Sequence, residues 1–150
     1  MNALYELLKE SIKIYKLFLE LEYEKYTAVI KNDIIALDDI VSQEEVYYLK
    51  MKGLEHRREK LINLLGLSGK TLKEIIDSSE YEYKTILQEQ YVELNNTIKE
   101  LQKINSLLKT VIEVRLRKID KKMIKLGEKE NTYNNKSNNS QEGLLISQKI

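Results

Sequence analysis

Residues 79–127 read SEYEYKTILQEQYVELNNTIKELQKINSLLKTVIEVRLRKIDKKMIKLG, with no proline and no glycine before the last position. This stretch predicts one uninterrupted helix of roughly 47 residues, about 70 Å at ~1.5 Å per residue. Ser79 followed by Glu82 has the form of a capping box, and Gly127 sits where a C′ glycine would end the helix. The apolar positions are Tyr83, Leu87, Tyr91, Leu94, Ile98, Leu101, Leu108, Ile112, Leu116, Ile119, Met123 and Leu126. Most steps alternate between three and four, as in a helix-packing seam. Asn105 falls where an apolar residue is due. Two successive steps of four, from Leu108 to Leu116, unwind a supercoil locally.

Upstream, the same periodicity predicts a helix over about residues 2–31, with Leu4, Leu7, Leu8, Ile14, Tyr15, Phe18 and Leu21 on one stripe. Asn32 and Asp33 punctuate the chain and can cap the next helix. That second helix covers about residues 34–65, with Ile34, Leu37, Ile40, Val41, Tyr48, Met51, Leu54, Leu61 and Leu65 expected inward. Ser42 with Glu45 matches a capping box inside it, so a break or kink near residue 42 is open; Gly66 is a suitable C′ residue. Thr71 with Glu74 opens a short helix carrying Leu72, Ile75 and Ile76, which must pack on its neighbours. After Gly127 the composition turns to asparagine and serine, with a small apolar stub at Leu144, Leu145 and Ile146.

The expected fold is therefore all-α: an elongated antiparallel bundle of three long helices and one short one. The helical domain spans residues 1–127, and residues 128–150 form a disordered, Asn-rich tail. No segment supports β structure. The first two long helices reach about 45 Å each, so around 15 residues of the last stripe lack an intramolecular lid. Apolar surface of that extent usually marks a partner site.

Composition excludes several classes. The 150 residues contain no cysteine, which removes disulfides, thiolate nucleophiles and cysteine-ligated zinc. Glu6 and Glu10 stand where a signal peptide needs an apolar run, and no segment approaches the ~20 apolar residues of a membrane span, so a cytosolic protein is expected. Net charge is +1, but residues 115–129 gather Arg115, Arg117, Lys118, Lys121, Lys122, Lys125 and Lys129 against Asp120 and Glu128. Such a face is a solvated helix end complementing the dipole, a dock for an acidic partner, or a weak nucleic-acid contact. The sole histidine, His56, lies beside Arg57 and Arg58, and no metal, nucleophile or phosphate-loop motif is present. Arg58 falls near the apolar seam, where its stem can be buried and its head wet or paired. No catalytic residue, metal or cofactor is expected. Ten tyrosines against one phenylalanine suit the rim of a core. Tyr133 has no core to join and is a candidate for recognition.

Taken together, the pattern resembles the FlgN-type flagellar export chaperones. The likeness lies in Leu-Tyr-Glu-Leu-Leu at 4–8, Leu-Asp-Asp-Ile-Val-Ser-Gln-Glu-Glu at 37–45, Leu-Glu-His-Arg-Arg at 54–58 and Asn-Ser-Leu-Leu at 105–108. Tyr-Asn-Asn-Lys at 133–136 is similar to the family's C-terminal tyrosine region. The family usually has a glycine shortly after that tyrosine; here Ser137 stands close by and Gly143 comes later. The resemblance implies a cytoplasmic chaperone without enzymatic activity. Such a chaperone binds the C-terminal helix of hook–filament junction (hook-associated) proteins and delivers them to the export gate of the type III apparatus.

On that reading the client-binding residues are Leu101, Asn105, Leu108, Ile112, Leu116 and Ile119, with the apolar ones burying the client's helix. Asn105 fixes register or is satisfied internally. Tyr133 would dock at the gate, and the stub at 144–146 could cover the groove without a client. The expected state is a monomer or weak homodimer that binds no nucleic acid. The competing expectations are a homodimeric coiled-coil scaffold and a small helical regulator binding nucleic acid through residues 115–129.

Overall fold

The computed structural model describes residues 1–148, with side chains described through Glu128. Among the described residues four helices follow one another: α1 (Asn2–Lys31), α2 (Ile34–Leu64), α3 (Leu72–Asp77) and α4 (Tyr81–Gln148).

Local chemistry sets most boundaries. Asn32 ends α1 in the left-handed region (φ 56°, ψ 35°), a conformation its short amide side chain tolerates. There the Asp33 N–H donates to the Ala28 carbonyl at 3.0 Å. The Asp33 carboxylate then accepts from the Ala36 N–H at 3.0 Å and opens α2. Gly66 (φ +69°) closes α2, with the Leu67 N–H donating to the Ile62 carbonyl at 3.0 Å. At α3 the capping box is complete: Thr71 Oγ1 accepts from the Glu74 N–H, and Glu74 Oε2 accepts from the Thr71 N–H at 2.7 Å. Thr71→Ala is expected to cost about 1 kcal/mol of stability, read as a lower denaturant midpoint.

Two expected caps do not form. Ser42 Oγ donates to the Asp38 carbonyl at 3.1 Å, and α2 runs unbroken past it. Ser79 Oγ donates to the Ile75 carbonyl at 2.7 Å, so α4 begins two residues later, with the Glu80 carbonyl taking the first amides. In both places the hydroxyl turns back onto the preceding turn instead of forward onto an open amide. The stop expected at Gly127 is also absent: α4 continues through it to Gln148. A helix-interior glycine costs only about 1 kcal/mol, and glycine is a stop only where the chain turns left-handed.

The chain divides into two compact units, Met1–Lys109 and Thr110–Ile150. The first holds a core to which every helix contributes. Leu4 and Leu8 from α1, Ile62 from α2, Ile75 and Ile76 from α3 and Leu87 from α4 form one buried cluster, ringed by Tyr83, Tyr91, Leu61 and Leu94. Each fully buried aliphatic side chain contributes about 1.5–3 kcal/mol. This cluster explains how a six-residue helix persists: Ile75 and Ile76 are both completely buried.

Farther along α1, its contacts with α2 come in reverse order. Glu10 pairs with Arg57 at 2.8 Å, Phe18 meets the Tyr48 ring at 5.3 Å between centroids, and Lys25 pairs with Glu44 at 2.7 Å. Lys16 reaches Glu93 of α4. The exposed pairs orient more than they stabilise. The inward face of α2 differs from the expected one. Ile34, Val41, Tyr48 and Leu65 are exposed, whereas Glu44 is buried with Ile40, Leu54 and Ile62. Val41 and Tyr48 stand three residues before and four after Glu44, so they share its side of the helix at the margin of the seam.

Glu44 is buried in company. Glu22 of α1 is 2% exposed, and its Oε1 is buried without a hydrogen-bond partner. Burial, a hydrogen bond with Glu44 and the Glu44 charge push the Glu22 carboxyl up to about 8, against the pull of Lys25. Burial acts the same way on Glu44, but hydrogen bonds with Glu22 and Lys25 outweigh it and hold Glu44 below the usual carboxylate range. Glu22 thus carries a proton at neutral pH, and Glu44 carries the charge that Lys25 neutralises.

Candidate helix-docking site

From Thr110 onward α4 presents a regular apolar row: Ile112, Leu116, Ile119, Met123 and Leu126, at steps of four, three, four and three. This spacing aligns side chains on one face over about 21 Å. All five are exposed, from 37% at Ile112 to 65% at Met123. A contiguous apolar row of this kind is unusual on a solvent-facing helix and fits a docking surface.

The two edges of the row differ in charge. In heptad terms Leu116 and Met123 occupy a, and Ile112, Ile119 and Leu126 occupy d. Arg115 and Lys122 then fall at g, along one edge, and Glu113 and Asp120 fall at e, along the other. Lys118 and Lys125 extend the basic side, and Arg117 and Lys121 lie farther around the helix. Chemically, such a surface can bury a complementary apolar row and sort partners by flank charge.

The six residues expected to hold a client separate between the two units. Leu101 and Leu108 are buried in the first, at 6% and 4% exposed, in line with Thr97 and Ile104. Asn105 is exposed, because Ile104 takes the seam position that Asn105 was expected to interrupt. Ile112, Leu116 and Ile119 are exposed in the second unit. Tyr133, Lys129 and the stub at 144–146 lie outside the residues whose side chains are described.

Elsewhere, His56 is exposed, and Arg58 is half-buried with its guanidinium on the Glu55 carboxylate. Among the described residues, no group of three His, Cys, Asp or Glu side chains gathers as a metal site. No described helix is long and apolar enough to cross a membrane. The buried carboxyls were not expected from the sequence. Their signal was position: Glu22 lies at i+4 from Phe18, and Glu44 at i+4 from Ile40, both on buried rows.

The chain matches no curated protein and no solved structure. The model of the FlgN protein family matches residues 1–141, most of the sequence, and the chain therefore belongs to the FlgN family of flagellar export chaperones.

Proposed function

We propose that this chain captures the C-terminal amphipathic helix of a hook–filament junction protein in the cytoplasm and delivers it to the gate of the flagellar export apparatus. The observation that carries the reading is the exposed row from Ile112 to Leu126. A client helix with apolar residues at i, i+3, i+4 and i+7 would bury that row along its length. Family membership supports the chaperone role. Leu101 and Leu108, being buried, support the first unit's core; Ile112, Leu116 and Ile119 carry the contact. Tyr133 serves the gate, and residues 128–150 act as the segment that presents it. No covalent chemistry is involved.

The test is a direct one. Ile112→Ala combined with Leu116→Ala is expected to weaken capture of a junction protein's C-terminal helix by about tenfold or more, since truncated apolar anchors of a helix contact cost about 1 kcal/mol each. Stability should shift by no more than about 1 kcal/mol, because both side chains are already partly in water, at 37% and 54% exposed. Titration calorimetry and denaturant unfolding read the two quantities. A parallel loss of stability and affinity would make these residues structural, and undiminished affinity would remove them from the contact.

A further inference from the structure

Resting on that reading, we infer that the row from Ile112 to Leu126 takes a partner-protein helix carrying carboxylates along the flank that meets Arg115 and Lys122. Three features of the surface favour this occupant.

First, residues 112–126 carry six cations against two acids, and the charges are sorted by edge. A helix lying in either direction along the row meets the Arg115–Lys122 edge with one flank. Carboxylates there gain two facing cations, with Lys118 and Lys125 close behind; lysines there meet like charge.

Second, a further copy of this chain fits poorly. Antiparallel pairing of two such rows sets Arg115 and Lys122 against the same residues, and Glu113 and Asp120 against theirs. Parallel pairing sets each g residue opposite the e residue five positions on. Arg115 then finds Asp120, but Lys122 finds Gly127. The remaining cations of both copies repel.

Third, an anionic membrane surface is disfavoured by the acidic edge. A basic amphipathic helix lying in a membrane keeps cations along both margins of its apolar face. Here Glu113 and Asp120 border that face and would be driven against the headgroup charge.

The experiment uses the full-length chain and two synthetic helical peptides with the same leucine seam, one with glutamates on both flanks and one with lysines. The glutamate peptide should bind about tenfold tighter at low salt. Its affinity should fall as salt is added, while that of the lysine peptide rises. Arg115→Glu with Lys122→Glu should erase or invert the preference, with helicity by circular dichroism unchanged. The wild-type salt titration stands independently of that variant. Equal affinity for the two peptides overturns the charge selection and leaves the docking row intact. Failure of both peptides to bind overturns the docking reading as well. A sedimenting dimer that excludes both peptides assigns the row to a second copy, and tighter binding to phosphatidylserine vesicles than to the glutamate peptide assigns it to a membrane; either result overturns the inference.

Discussion

Leu87→Ala is expected to lower the unfolding free energy by about 3–4 kcal/mol, a large fraction of the ~5–15 kcal/mol that a domain of this size holds. Leu87 is completely buried, and its cluster mates come from the three other helices. The cavity left by the missing methyl groups is therefore walled by Leu4, Leu8, Ile62, Ile75 and Ile76, and no single side chain can move in without leaving its own contacts. Partial collapse would reduce the cost, so the size of the effect measures how rigidly the cluster is held. Urea unfolding followed by circular dichroism reads it. A loss below about 1 kcal/mol would show that the cluster is not the centre of the first unit.

Glu22→Gln should have a comparable effect of opposite sign. Between about pH 4.5 and 8, folded Glu22 holds a proton that the unfolded chain releases. The folded state then binds more protons, so stability falls as pH rises through that window. At pH 7 the accumulated cost is about 3 kcal/mol. Glutamine is neutral in both states, has nearly the same shape and can still donate to Glu44. The variant should be about 2–3 kcal/mol more stable at pH 7 and nearly level from pH 5 to 8.

Glu44 behaves in the opposite sense. Its pKa is lowered in the fold, so its contribution is present above its ordinary value of 4.5 and is lost as pH falls through the lowered one. Lys25 is raised above its ordinary 10.5 despite the opposing effect of burial, through Glu44 and Glu22. Its contribution stays complete across the neutral window. Wild-type stability should thus peak near pH 5. Chemical denaturation at several pH values tests this, and a wild-type midpoint that rises steadily from pH 5 to 8 would sink the assignment.

The helix pattern was legible wherever local chemistry decides it. Asn32 and Asp33, Gly66, and the Thr71–Glu74 pair satisfy or reverse backbone groups within a few residues of themselves, so sequence alone carries their meaning. Ser42 and Ser79 had the same outward form, yet their hydroxyls bond the carbonyl four residues back. Which bond wins depends on whether an amide is left open, and that is fixed by where the helix already runs. Periodicity likewise found the row from Leu101 to Leu126 but not its division. Coverage of Leu101 and Leu108 comes from other parts of the chain, whereas Ile112 and beyond owe their exposure to the lack of such a neighbour among the described residues. The buried carboxyls were hidden for a related reason. A glutamate on an inward row is tolerable only when partners satisfy it, and here Glu22 and Glu44 meet across the α1–α2 pair, which is a tertiary contact.

The shared cluster also imposes an order on biosynthesis. Leu4 and Leu8 leave the ribosome first, but Ile75, Ile76 and Leu87, which shield them, are translated much later. Meanwhile α1 can pair with α2 along Glu10–Arg57 and Phe18–Tyr48, contacts that need no residue beyond α2. A nascent chain halted before Leu72 therefore displays an adhesive patch at the end of a hairpin that is otherwise formed. Until α3 and the start of α4 arrive, that apolar patch lacks its native cover and is prone to self-association.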